Sequence, residues 1–288
     1  MKIALHDADG GIYPNLALMK LSAWHKFQGD DVAFFEPLTY PGDTVYSSKV
    51  FTYTGESPYL PSNAKIGGSG YNFYTVLPDE VEHMCPDYDL YGLDYSLGFL
   101  TRGCPNKCSW CFVPAKEGDI RAHADIEEFA RHKDVVLMDN NVLASDHGIE
   151  QIEKIANLGL KIDFNQGLDA RLIDNSMAQL LAKCKWLSPV RLACDTVGQM
   201  KHVQKAITLL RWHNCSPRTY FVYVLVKEIP DAIERVKFLK GLSLDPFAQP
   251  YRDKEGTEPT DEQKDFCRWV NFKAIFKSVM WKDYKGRQ

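Results

Sequence analysis

Three cysteines fall within one short run, Cys104-Pro105-Asn106-Lys107-Cys108-Ser109-Trp110-Cys111. The spacing is C-x3-C-x2-C, with an aromatic residue directly before the third. Thiolates that close in sequence can face one inorganic cluster. A 4Fe–4S cluster ordinarily takes four cysteines, so three leave one iron open to a small molecule. The same logic separates catalytic from structural metal sites. A C-x2-C pair alone is often half of a zinc site. Zinc would need a second such pair or an H-x3-H pair, and the remaining cysteines, Cys85, Cys184, Cys194, Cys215 and Cys267, are scattered singly. This arithmetic favours a cluster over zinc or inert thiols.

A loop presents three thiolates to one point only if regular elements fix its ends. From about residue 95 the chain alternates short apolar runs, read as buried strands, with longer segments of helical period. Strands are expected at 95–101, 135–138, 160–164, 190–194, 219–226 and 245–249. Helices are expected at 126–132, 147–158, 176–184, 199–213 and 230–240, the last with Pro230 in its favoured first turn. Six strand–helix units in series imply a parallel sheet with right-handed crossovers, covered on both faces or closed on itself. The cysteine loop leaves the first strand at its carboxyl end, where such folds place their chemistry. Residues 1–92 read as a separate, truncated doubly wound unit. It has strands at 2–6 and 32–35, a helix at 15–27, and short candidate strands at 49–53 and 64–67. The last of these runs into Gly67-Gly68-Ser69-Gly70, and residues 39–61 read as loop.

Composition narrows the classes. The chain has 288 residues, 45% hydrophobic and 25% charged, an ordinary globular balance. No apolar run approaches 18 residues and no signal region opens the sequence, so no membrane span is expected and a cytoplasmic location is. Eight cysteines in such a chain suit a reducing compartment. A net charge of −4 excludes a generally basic nucleic-acid binder, although the last 25 residues carry seven Lys/Arg against two Asp. A helix expected at 261–284 interleaves bases with Phe266, Trp269 and Phe276. That pattern suits either nucleic acid or an apolar face packed on the rest of the fold.

The cysteine run resembles the signature of the radical SAM enzymes. The resemblance implies an α/β fold: a partial (β/α)6 barrel over residues 93–255, the truncated Rossmann-like unit before it, and a helical, basic extension over 256–288. It implies that Cys104, Cys108 and Cys111 bind a 4Fe–4S cluster. S-adenosylmethionine would chelate the open iron, Trp110 would pack near its adenine, and a flavodoxin- or ferredoxin-like donor would supply the electron. Many members carry Gly-Gly-Glu after the second strand, and this chain has Asp139-Asn140-Asn141 there. Asp139 suits an ammonium and the two amides suit its carboxylate, or the three cap the next helix. Asn165 and Gln166 end the third strand and suit a ribose or substrate. Arg191 suits the S-adenosylmethionine carboxylate, or an ion pair with Asp195 or Asp163. Asp195, Tyr223, Glu228, Gln249 and Tyr251 are candidates for the substrate space, the tyrosines equally for plain wall aromatics. The amino-terminal unit is similar to the cobalamin-binding domain of one radical SAM subgroup. Its Asp-x-His-x-x-Gly motif is not matched by His6 to Gly11, so that unit is either a cobalamin site or a remnant that shields the barrel. The implied reaction is hydrogen abstraction from an unidentified substrate by a 5′-deoxyadenosyl radical. Alternatives are cobalamin-dependent methyl transfer, and a non-catalytic electron-transfer or nucleic-acid-binding protein.

Overall fold

A computed structural model describes residues 1–11, 13–215, 220–253 and 256–286. Thr219 at the head of the fifth expected strand, the boundary at residue 255, and residues 287–288 of the extension lie outside the described residues. The protein is a mixed α/β fold with parallel sheets. Its elements run β1 (Lys2–Asp7), α1 (Leu16–Phe27), β2 (Asp31–Phe34), β3 (Thr44–Ser48), β4 (Lys65–Gly67), α2 (Asp79–Glu82), β5 (Ser96–Gly98), β6 (Thr101–Arg102), α3 (Val113–Lys116), β7 (Arg121–Ala122), α4 (Ile126–Phe129) and β8 (Asp134–Leu137). Then come α5 (Asp146–Leu158), β9 (Lys161–Phe164), α6 (Asn175–Lys183), β10 (Lys185–Trp186), β11 (Val190–Ala193), α7 (Met200–Trp212), β12 (Tyr220–Val226), α8 (Ile229–Gly241), β13 (Asp245–Pro250), α9 (Asp261–Asn271) and α10 (Lys273–Ser278).

The amino-terminal strands form a parallel sheet in the order β2-β1-β3-β4. Ile3 and Leu5 of β1 pack on Leu18 and Leu21 of α1. The expected strand at 49–53 is corrected to Thr44–Ser48, inside a stretch read as loop. The Tyr, Ser, Pro and Gly there carry no local strand signal; pairing with β1 on one side and β4 on the other makes the strand. It cannot continue past Lys49, because the next N–H, of Val50, is taken by the Asp9 carboxylate at 2.6 Å.

The six expected strands are present as β5, β8, β9, β11, β12 and β13, and with the short edge strand β10 they form two parallel sheets, β10-β9-β8-β5 and β11-β12-β13. An isolated parallel bridge between Leu168 and Leu192 joins them. Strand β12 shows how sequence drives this packing. Tyr220, Val222, Val224 and Val226 are buried, while Phe221, Tyr223 and Leu225 are half-buried on the opposite face. The buried side shares a core with Val203, Ala206 and Leu210 of α7 and Ala232, Val236 and Leu239 of α8. Each buried Val or Leu among them contributes about 1.5–3 kcal/mol by leaving water, and each Ala less. Helix α5 is capped at both ends. The Ser145 side chain accepts from Gly148 N at 3.3 Å, and Gly159 turns left-handed with φ 66°.

Two further expectations change. The first strand is not continuous over 95–101; β5 ends at Gly98, and, two residues on, the Asp139 carboxylate captures the N–H groups of Leu100 and Thr101. The helix expected over 261–284 breaks at Phe272. Asn271 causes the break by pairing with the edge of β13, accepting from Ala248 N at 2.8 Å and donating to Ala248 O at 2.9 Å. Phe266, Trp269 and Phe276 are buried in the same core as the strands. No helix among the described residues is long and apolar enough to cross a membrane.

Candidate metal and cofactor site

The cysteine loop begins at Gly103, whose φ is +81°. A Cβ there would stand 2.2 Å from Asp119 O, so only glycine admits this turn. Cys104 N then donates to Gly118 O at 3.2 Å, and Cys111 N to Cys108 O at 3.0 Å. All three cysteines are half-buried and none is in a disulfide. Burial pushes the Cys108 thiol up, and Cys111 and Cys104 push the same way while Arg171 opposes. Cys108 therefore lies within electrostatic reach of both Cys104 and Cys111. Among the described residues no group of three or more His, Cys, Asp or Glu side chains is drawn together at metal-ion distances. The thiols are neighbours rather than a closed cage.

Two carboxylates hold the loop. Glu117 accepts from Gly103 N at 2.9 Å and from Asn140 Nδ2 at 3.0 Å, with Arg102 at 3.5 Å. Asp169 accepts from Asn106 Nδ2 and Asn141 Nδ2, both at 3.1 Å, and takes the Arg171 guanidinium in a two-point contact at 2.7 Å. Burial alone would raise the Asp169 carboxyl, but the Arg171 hydrogen bonds and charge, helped by Asn106, hold it below the ordinary range. Thus Asp169 ties the cysteine loop to the residues that follow β8 and β9.

Asn141 is 3% exposed. Its Nδ2 donates to Asp169 and lies 3.7 Å from Cys104 Sγ. A carboxylate only accepts, so the amide orientation is fixed. Its Oδ1 is then left buried without a hydrogen-bond partner among the described residues. An orphaned buried acceptor costs about 1–3 kcal/mol, and a bound N–H donor would recover that. Three cysteines on one loop are the donor type a sulfur-ligated metal group takes, and the buried acceptor suits an N–H donor.

The other expected residues sort by their partners. Asp139 is buried; its Oδ1 accepts from Leu100 N at 3.1 Å, Thr101 N at 2.6 Å and Thr101 Oγ1 at 2.6 Å, and its Oδ2 from Leu100 N at 3.2 Å. Burial nevertheless raises its carboxyl pKa, against those hydrogen bonds. It clamps the strand end that launches the cysteine loop, and Ser145 caps the helix instead. Arg191 is paired with Asp163 rather than Asp195, through two contacts of 2.7 Å, and donates to Tyr223 OH at 3.1 Å. Tyr223 OH donates in turn to Asn165 O at 2.8 Å. Asp195 accepts from Leu225 N at 3.0 Å; burial raises its carboxyl, with Leu225 N–H and Arg235 opposing. Lys227 draws Trp110 and Tyr251 together, its Nζ lying 5.7 Å and 4.7 Å from their ring centres. Glu228 and Gln249 are exposed and join none of these contacts.

A cavity of about 1020 Å³ opens between the loop and the amino-terminal sheet. Phe112, Asn140 and Gln166 line one side, and the strand ends Asp7, Ser48 and Gly67 the other. Within that sheet His6 Nδ1 lies 2.8 Å from Ser47 Oγ, and Gly10 and Gly11 both have positive φ, as a tight strand–helix turn requires. Sequence reading missed Glu117, Asp169, Arg171 and Lys227. Asp169 follows a strand whose end was already singled out, so the same rule extended three residues would have found it. Glu117 and Lys227 carry no local signal.

No protein-family model and no curated protein matches the chain. Among solved structures it is similar to Streptococcus suis SuiB bound to its precursor peptide SuiA, with a TM-score of 0.45 and 15% identity over 64% of this chain and 46% of that one. It is also similar to methylornithine synthase (PylB), with a TM-score of 0.42 and 14% identity over 62% of each chain. The chain thus spans less than two thirds of the length of either.

Proposed function

We propose that this chain is a radical SAM enzyme, its six parallel strands forming a partial (β/α)6 barrel around the site. Cys104, Cys108 and Cys111 would hold a 4Fe–4S cluster with one iron open to S-adenosylmethionine. When bound, that pair supplies reductive cleavage to a 5′-deoxyadenosyl radical. The observation that carries the reading is the three half-buried cysteines of one loop, with Asn141, whose Oδ1 is orphaned among the described residues, in contact with Cys104 through its Nδ2. Asn141 would accept from the ligand's ammonium, and its own Nδ2 faces Cys104, where an N–H donor stabilises charge on a ligating sulfur. Asp169 keeps that amide from rotating. Asp139 fixes the backbone on which the loop is built. Trp110, backed by Lys227 and Tyr251, offers a ring face for the adenine. The chain's part is orientation and exclusion of water, with the cofactor carrying the difficult chemistry. The reading includes a cytoplasmic setting, a flavodoxin- or ferredoxin-like electron donor, and hydrogen abstraction from the substrate.

Anaerobic reconstitution tests it. Wild type should show iron–sulfur absorbance and release 5′-deoxyadenosine with dithionite and S-adenosylmethionine, and Cys108→Ala should lose both. Cleavage that persists in Cys108→Ala refutes the assignment.

A further inference from the structure

The cavity shared by the cysteine loop and the amino-terminal sheet is lined by six carboxylates and five Lys/Arg side chains. Its inner carboxylates are engaged. Asp7 accepts from Tyr91 OH at 2.7 Å, and Asp9 from Val50 N at 2.6 Å and Thr54 Oγ1 at 2.5 Å. Glu82 lies 3.2 Å from both Lys20 and His123, and Glu117 is bound to Gly103, Asn140 and Arg102. Asp79 and Glu80 are exposed at the rim.

Lys116 is not balanced in this way. It lines the cavity five residues past Cys111 and is half-buried. Among the described residues no carboxylate oxygen lies within the 4.0 Å of an ion pair, and the one hydrogen bond from its Nζ goes to Ser69 Oγ at 2.6 Å. Burial lowers its ammonium pKa, with nearby Glu117 opposing and Arg102 adding to the effect. An ammonium has three donors, and among the described residues Lys116 spends one of them on a hydroxyl, which leaves two to face the cavity. Ser69 accepts from Lys116, so its own proton is free to point at the same spot. Its position is fixed: a Cβ on Gly68 would stand 2.4 Å from Lys49 O, and one on Gly70 2.6 Å from Lys49 Cγ. The two donors come from opposite sides, Lys116 from the end of α3 and Ser69 from the turn after β4. A second lysine on the wall, Lys65, is likewise without a carboxylate within ion-pair distance among the described residues; it donates to Tyr46 OH at 3.3 Å.

We propose that Lys116 and Ser69 form an oxyanion subsite, and that the cavity takes a small molecule bearing a phosphate or carboxylate. Calling that molecule the substrate rests on the enzyme reading above; the subsite itself does not. Asn141 and Trp110 are not among the residues lining this cavity, whereas Asn140 and Gln166 are, so the anion subsite adjoins the S-adenosylmethionine ligands proposed above without sharing them.

The test is calorimetric titration of reconstituted full-length protein with inorganic phosphate and, separately, acetate. One of the two should bind saturably, and the tighter one identifies the group. Lys116→Gln should weaken binding about tenfold, the loss expected for one charged hydrogen bond. Ser69→Ala should weaken it less, and Lys116→Arg should retain it. If Lys116→Gln does not fold, Ser69→Ala and Lys116→Arg decide. No saturable binding to wild type, unchanged affinity in both Lys116→Gln and Ser69→Ala, or competitive displacement by S-adenosylmethionine overturns the proposal. Wild type that binds the anion but forms no cluster refutes the enzyme reading and leaves the subsite standing. A cluster with no anion binding refutes the subsite alone.

Discussion

Asp139 offers a direct choice between a ligand's carboxylate and a structural clamp. It is 4% exposed and receives two backbone N–H groups and one hydroxyl. Asp139→Ala leaves the N–H groups of Leu100 and Thr101 buried without an acceptor. At about 1–3 kcal/mol each, the cost is roughly 4 kcal/mol, since the Thr101 hydroxyl can rotate to another partner. For a chain of this length that is a fall of about 8–16 °C in Tm. Asp139→Asn is a milder change. An amide oxygen in the place of Oδ1 keeps the contacts to Leu100 N, Thr101 N and Thr101 Oγ1 and gives up only the 3.2 Å branch to Oδ2. Burial disfavours the charge in any case, so the cost should be about 1 kcal/mol. Thermal melts followed by circular dichroism, with S-adenosylmethionine binding measured on the same reconstituted samples, separate the two roles. An Asp139→Ala protein melting within 2 °C of wild type, on the scale of roughly 2–4 °C per kcal/mol, refutes the clamp. So does an Asp139→Asn protein that melts normally but no longer binds S-adenosylmethionine.

Two more outcomes follow from the site's surroundings. Gly103→Ala places a Cβ 2.2 Å from Asp119 O at a φ of +81°; it should cost at least about 1–3 kcal/mol in backbone strain and lower iron incorporation, measured by melts and metal analysis. A normal melt with full iron loading would contradict it. Burial pushes the Glu82 carboxyl up, but the His123 hydrogen bond and the charges of Lys20 and Arg102 outweigh it and hold it at about 2, against an ordinary 4.5. Its contribution, roughly 3 kcal/mol, is fully present above the unfolded value and lost as pH falls towards the folded one. The stability gap between wild type and Glu82→Gln should therefore be constant above pH 4.5 and close on acidification towards pH 2; a gap independent of pH across that window would show that the charge is not the cause.

The alternation of apolar runs with helical segments located most strands and helices from residue 95 onward, because periodicity is a local property of the chain. The errors fall where a distant group decides a local conformation. Val50 leaves the ladder for Asp9, Leu100 and Thr101 turn to Asp139, and the last helix stops where Asn271 grips Ala248. In each case a side chain competes for a backbone group against regular structure, and its sequence distance hides it.

The site divides along the same line. The sequence by itself supplied the C-x3-C-x2-C spacing of Cys104, Cys108 and Cys111, the strand ends that flank it, and the aromatic at Trp110, since residue type and spacing are written in consecutive residues. Only the tertiary structure decided which carboxylate serves which partner. It gave Arg191 to Asp163, used Asp139 as a clamp, made Asp169 the tie between loop and strand ends, and, among the described residues, left Asn141 Oδ1 without a partner and Lys116 with one hydroxyl. The physical reason is that a polar group's role depends on which of its donors and acceptors burial leaves unsatisfied, and that is settled by contacts between residues far apart in the chain.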